Sequence, residues 1–363
     1  MATTTANKKT VCKGTTKLAS NHDEETIRLE LNEPLALQVA SDLHLEFYND
    51  DPKRVPSDII QREAPILCLL GDVGLCNHSS ILEWFLKKQS KVFEHVLFVA
   101  GNHEFYNNHD NTLGNPYTVE EQLHWIQALC DSLRNVHFLE RRVVEVQGVR
   151  ILGTTLWSEI PPHMKEEAED AMNDYHLSYI ADHCRSKQLM TVDFTNAWFR
   201  RSVQWLEHQI QEARVDGYQV VVLTHHTPCM DLTSHPRFSG SSMSCCFSTN
   251  LQHLLTDPVR VWACGHTHYN FDIAFTNDNK LVPATRLVSN QRGYPGSILG
   301  DYDSRGIIIC VSDFERSTEL AKRVLSWKEM TNNASLLPPE AIHNCFLRRR
   351  GSSSSLSSVS ADV

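Results

Sequence analysis

Five times along this chain a short apolar run stops abruptly against Asp, Asn or His. Leu35 to Ala40 leads into Ser41-Asp42-Leu43-His44, and Ile66 to Leu70 into Gly71-Asp72. Val96 to Ala100 leads into Gly101-Asn102-His103-Glu104, Val220 to Leu223 into Thr224-His225-His226, and Val259 to Cys264 into Gly265-His266-Thr267-His268. Apolar runs rich in branched side chains and bounded by Gly are the pattern of strands buried on both faces of an α/β sheet. Ligands of open α/β folds collect just past the carboxyl ends of such strands. A lone Asp or His there is usually a cap or a satisfied polar group. Independent loops have no structural reason to converge repeatedly on carboxylate, amide and imidazole, whereas a cluster of divalent cations needs those groups in one place.

The segments between these runs supply the rest of the fold. Helical spacing predicts a helix from Ser80 to about Lys91, with Ile81, Trp84, Phe85 and Lys88 on one face. A second starts at Thr118-Val119-Glu120-Glu121 and runs to about Leu133, and a third spans Asp193 to Arg214, with Trp198, Val203, Trp205, Leu206 and Ile210 on its apolar side. Val136 to Leu139, Val143 to Val146 and Val149 to Leu152 read as short strands, as do Phe271 to Phe275, Arg286 to Ser289 and Ile307 to Val311. A mixed helix is expected over Glu315 to Met330. Two β-rich stretches bracketing α/β units predict a four-layer α-β-β-α fold, two packed sheets flanked by helices.

The expected organisation is a disordered polar tail over residues 1–30, one domain over 31–335, and a flexible tail over 336–363 in which Arg348-Arg349-Arg350 precedes a Ser-rich run. Residues 159–192 are charged and rich in His, Met and Tyr, open to two readings: an ordinary surface excursion, or an insertion crossing the strand ends. Ser234 to Ser248 reads as a mobile loop beside the site. A net charge of -10 argues against a nucleic-acid groove or an anionic membrane surface. No apolar run approaches the roughly 20 residues that span a bilayer. The 11 cysteines are odd in number and contain no CxxC pair, as expected of reduced thiols in a cytoplasmic protein.

The ordered blocks Asp42-Leu43-His44, Gly71-Asp72, Gly101-Asn102-His103-Glu104, His225 and Gly265-His266-Thr267-His268 resemble the calcineurin-like metallophosphoesterase superfamily, whose pattern is D-x-H, GD, GNH followed by D or E, H, then GHxH. That resemblance implies a two-sheet sandwich carrying two divalent ions (Mn, Fe or Zn) at one end. Carried over position by position, Asp42, His44 and His268 hold one metal, and Asn102, His225 and His266 the other. Asp72 bridges both, its two oxygens suited to cations about 3.5 Å apart. The implied reaction is hydrolysis of a phosphoester by a two-metal-activated hydroxide attacking phosphorus in line, with His103 as general acid. Arg292, in Asn290-Gln291-Arg292-Gly293-Tyr294, is similar in position to an Arg near the end of many bacterial-type members and is a candidate to grip phosphate or to form a structural salt bridge. His226 is a weaker substrate-side candidate, since a strand-like backbone turns it away from His225. Glu104 is expected to orient neighbours.

The classical Ser/Thr protein phosphatases of this superfamily extend the second block to GDxxDRG, but here it reads Gly71-Asp72-Val73-Gly74-Leu75-Cys76. The closer likeness is to small cytosolic phosphoesterases acting on a phosphorylated small molecule, a nucleotide or a phosphoprotein. The alternatives are a Ser/Thr protein phosphatase and a non-catalytic, protein-binding scaffold of the same fold. Sequence leaves the oligomeric state open.

Overall fold

A computed structural model describes residues 26–76, 79–107, 115–182, 184–276, 285–316, 321 and 323–326. A five-stranded sheet runs in the order Ile307–Cys310, Ala36–Ala40, Ile66–Leu70, His95–Val99, Val136–Phe138, parallel throughout except at the first pair. Cys68 sits between Val39 and Leu97 in register. An eight-stranded mixed sheet runs Ile27–Arg28, Arg142–Val146, Val149–Thr154, Gln219–Thr224, Val259–Ala263, Thr285–Ser289, Phe271–Thr276, Arg323–Ser326.

The two-residue period of a strand divides its side chains between two cores. Ile66, Cys68 and Leu70 share one apolar cluster with Ile151, Val221, Leu223 and Val261, which is the layer between the sheets. Leu67, Leu69 and Phe98 belong instead to the outer cluster with Leu82, Phe85 and Ile126 of the helices Ser80–Gln89 and Val119–Asp131. On the eight-stranded sheet, Val220 and Val222 meet Leu206, Ile210 and Ala213 of the helix Val192–Asp216. Fully burying each such side chain contributes about 1.5–3 kcal/mol, so the central strands are fixed from both faces. The expected four layers are therefore present.

Caps set the helix ends. Ser79 accepts from the Leu82 amide, and Thr118 and Glu121 form a reciprocal capping box. Gly217, at φ 77°, closes the long helix. Along the first helix the buried face is Ile81, Leu82, Phe85, Leu86 and Gln89, while Trp84 lies at its margin.

Three expectations change. Ile27–Arg28, placed in the polar tail, pairs with Val144 and Glu145 as an edge strand. Within the helix expected over Glu315 to Met330, Arg323–Ser326 is a strand parallel to Phe271–Thr276, and Val311–Arg316 is a 3-10 turn. An open sheet edge offers unpaired backbone groups that override a weak helical preference. Ser234 to Ser248 contains two 3-10 turns, Pro236–Phe238 and Ser242–Cys246, and the second buries Met243, Cys245 and Cys246. The nine cysteines among the described residues are all free. Among the described residues no helix is long and apolar enough to cross a membrane.

Candidate metal centre

The five strand ends meet at one end of the sandwich. Asp42, His44, Asp72, His266 and His268 all have left-handed backbone, with φ between 48° and 73°. For non-glycine residues this conformation costs about 1–3 kcal/mol each, so the surrounding loops hold these five side chains inward against their own preference. Two glycines are there for space. A Cβ on Gly71 would collide with the His225 ring, and one on Gly101 would collide with the Asp72 carboxylate.

Two groups of donors face each other across Asp72. On one side His268 Nε2 lies 3.0 Å from His44 Nε2 and 3.4 Å from Asp42 Oδ1. On the other, His225 Nε2 lies 3.0 Å from Asn102 Oδ1 and 3.2 Å from His266 Nδ1. Asp72 directs Oδ2 to the first group, 3.9 Å from His44 Nε2, and Oδ1 to the second, 3.4 Å from His225 Nε2. Asp42, His44 and His268, then His44, Asp72 and His103, then Asp72, His225 and His266 each present ligand atoms within 4.8 Å of one another.

The proton positions test whether this donor set suits cations. His44 Nδ1 donates to Glu46 Oε1 at 2.9 Å, because a carboxylate only accepts, and burial keeps the ring's pKa below its ordinary value. His225 Nδ1 donates to the Leu70 carbonyl at 2.8 Å. Asn102 Nδ2 donates to Asp174 Oδ1 and to Tyr106 Oη, both at 2.8 Å, so its Oδ1 faces His225. Side chains held this way turn acceptor atoms of His44, His225, Asn102 and Asp72 toward common points. Convergent acceptors repel one another unless a cation lies between them, and a mixed O and N set suits borderline divalent ions.

Charged partners brace this arrangement. Glu104, fully buried, accepts from the amides of Asp72, Val73, Gly74 and Gly101 at 2.6–3.2 Å, which locks the second and third loops together. Burial and the neighbouring Asp72 push its pKa up to about 7. Glu46 Oε1 accepts from both His44 Nδ1 and His103 Nδ1, each at 2.9 Å. Burial works against that carboxylate's charge, yet His103 and His44 hold its pKa down at about 2. Burial likewise opposes charge on His103, but Asp72, Glu46 and Asp174 raise its pKa to about 10. The His103 amide donates to Asp72 Oδ1 at 2.9 Å, and its ring lies over Tyr106 with centroids 4.4 Å apart.

Asp174 comes from the helical turn Asp174–Leu177, inside the 159–192 segment. It accepts from Tyr106 Oη at 2.6 Å as well as from Asn102. Through Asp174, one turn of that segment touches Asn102 at the third strand end. Glu46, Tyr106 and Asp174 were missed in the sequence. Glu46 carries a local signal, standing two residues after His44 in a polar-apolar alternation. Asp174 carries none, since its partner Asn102 is 72 positions away.

The two expected substrate contacts are placed differently. Arg292 is buried, with Nη1 3.5 Å from the Leu43 carbonyl and its guanidinium 5.8 Å from the Tyr48 ring centroid. Among the described residues it has no carboxylate partner within ion-pair distance. His226 is fully buried between the Trp157 and His266 rings, at 5.2 and 4.0 Å, and neither ring nitrogen has a hydrogen-bond partner among the described residues. It packs behind the His266 ring.

A calcineurin-like phosphoesterase model matches residues 37–270, from the first parallel strand to just beyond His268. The chain belongs to the calcineurin-like phosphoesterase family. The family's phosphoesterases use divalent metal ions, in keeping with the donor groups just described. An uncharacterised protein of Acanthamoeba polyphaga mimivirus, L509, is 29% identical over 276 residues, covering 71% of this chain and 91% of the viral protein. The phosphopantetheinyl hydrolase of Mycobacterium tuberculosis shares the fold, with a TM-score of 0.51, 19% identity, and 72% of this chain covered against 90% of that one.

Proposed function

We propose that this family member is a metal-dependent phosphoester hydrolase in which Asp42, His44 and His268 hold one divalent cation, Asn102, His225 and His266 hold a second, and Asp72 spans the two. The observation that supports this reading best is the convergence of lone pairs on either side of Asp72. When bound, the pair of cations supplies an activated water for in-line attack on phosphorus and offsets charge on the phosphoryl oxygens.

The chain's own groups do the rest. Glu104 and the left-handed loops keep the ligands in place before substrate arrives, so that little reorganisation accompanies the reaction. Glu46 accepts the hydrogen bond from His103 Nδ1, which leaves Nε2 as the side that meets the ester. In that position a protonated imidazole donates to the departing oxygen. The protein Ser/Thr phosphatase reading has less support, because Leu75 and a buried Cys76 occupy the places of the second Asp and the Arg of GDxxDRG.

Metal content and turnover together test the proposal. Purified protein is expected to carry close to two ions of Mn, Fe or Zn and, with Mn added, to hydrolyse a 4-nitrophenyl phosphomonoester or diester. Asp72→Asn should lose bound metal and roughly 10³-fold or more of the activity. His103→Ala should keep the metal and lose about 10²–10⁴-fold in turnover. Undiminished activity in Asp72→Asn would rule the mechanism out.

A further inference from the structure

Beside the candidate centre the surface is aromatic. Tyr294 lies with its ring centroid 4.4 Å from His44, 4.6 Å from His268 and 6.2 Å from His103. Phe47 meets Tyr294 edge to face at 5.4 Å and His44 at 6.1 Å. Phe47 belongs to the loop of His44 and donates its amide to the His44 carbonyl, and the loop of Tyr294 is tied to a ligand loop by the Gly293 amide, which donates to the Asp42 carbonyl. The position of these rings is therefore fixed by the same backbone that fixes the metal ligands.

The exposure of this pair is what calls for an occupant. Phe47 is 54% exposed and Tyr294 38%. Among the described residues seven large hydrophobic side chains are exposed, and Phe47, Tyr294 and Ile298, four residues beyond Tyr294, come from the two loops that flank the site. A solvated Phe ring contributes nothing to the core, and a scattered one needs no explanation. Here two open rings adjoin each other and the side of the centre occupied by His103, where the departing group of an ester would stand. Open π faces favour a flat partner.

We infer that Phe47 and Tyr294 form a stacking wall for a planar aromatic ring in the leaving group of the substrate, which makes them specificity-determining residues for ring-bearing phosphoesters. This rests on the hydrolase reading above and narrows it. A ring of that kind comes from two sources, the base of a nucleotide or an aryl group, and both present the same π face.

Paired substrates separate the ring from the reactivity of the ester. Adenosine 5′-phosphate against ribose 5-phosphate, and benzyl phosphate against butyl phosphate, each differ in the ring while the leaving oxygen stays an alkoxide; each is offered as the monoester and as the methyl diester. Stacking on an aromatic side chain is worth about 5- to 100-fold, so the wild type should prefer at least one ring-bearing partner by that factor in kcat/KM. Which pair shows the preference identifies the source. In Phe47→Ala and Tyr294→Ala the preference should fall toward one, and Phe47→Trp should restore it. Equal kcat/KM within both pairs, or an alanine variant that lowers both members by the same factor, would overturn the inference. Calorimetric binding of benzyl and butyl phosphonate, which are not hydrolysed, reads the ring preference independently. Hydrolysis of no ester alongside a benzyl preference would count against the hydrolase reading and for the wall; no hydrolysis and equal phosphonate binding would defeat both.

Discussion

The loops of the five-stranded sheet and the His266 ring on the eight-stranded sheet are held in the candidate centre by different physics. On the five-stranded sheet, Asp42, His44, Asp72 and Asn102 are anchored by directional hydrogen bonds: Glu104 to four amides, Glu46 to two imidazoles, Asp174 to Asn102 and Tyr106. On the eight-stranded sheet, His266 is held by ring packing. Phe247 stacks on it at 5.0 Å and His226 at 4.0 Å, and its Nε2 has no hydrogen-bond partner among the described residues. Burial and the neighbouring His226 and His225 keep the pKa of that ring well below its ordinary value, so it is neutral. Carboxylates and amides can be aimed by donors around them, whereas a neutral imidazole with one nitrogen committed to a site is steered mainly by shape. The loops should therefore be sensitive to single polar changes and the ring tolerant of conservative apolar ones.

The largest effect that tests this contrast is expected at Glu104. Glu104→Gln keeps the volume but turns an NH2 toward backbone donors, which should cost about 3 kcal/mol of stability, read from the denaturant midpoint at unchanged slope. A midpoint equal to that of the wild type would mean that the amide network is not what joins the two loops. Next comes Asp174→Asn. Without an obligate acceptor the Asn102 amide can flip, and metal affinity should fall about 10–100-fold in calorimetric titration, with little change in melting temperature. Retained affinity would remove Asp174 from the positioning network. The smallest change is expected at Phe247→Leu, a loss of about 1 kcal/mol with metal binding within a few-fold of wild type. A drop as large as that of Asp174→Asn would show the ring-packed His266 to be as exacting as the loops.

The split between what was legible in the sequence and what was not follows the same line. Strands such as Ile66–Leu70 announce themselves because burial on both faces demands uninterrupted apolar residues, and their polar ends stand out against that background. Glu104 was readable as an orienting group since it follows His103 directly. Arg292 and His226 look chemical in the sequence, yet packing buries them against Leu43, Tyr48, Trp157 and His266. Ile27–Arg28 and Arg323–Ser326 had no strong local pattern, because an edge strand is chosen by the open ladder beside it.

By itself, then, the amino-acid sequence determined the two-sheet core, through local patterns of burial, and marked the polar strand ends among which the family resemblance picks the seven candidate ligands. Tertiary structure alone decided that Asp174 would reach Asn102 and that Glu46 would serve two imidazoles. It also decided that Phe47 and Tyr294 would stand open beside them. Each of these depends on loops from distant parts of the chain meeting in space, and no period or motif along the chain encodes that meeting.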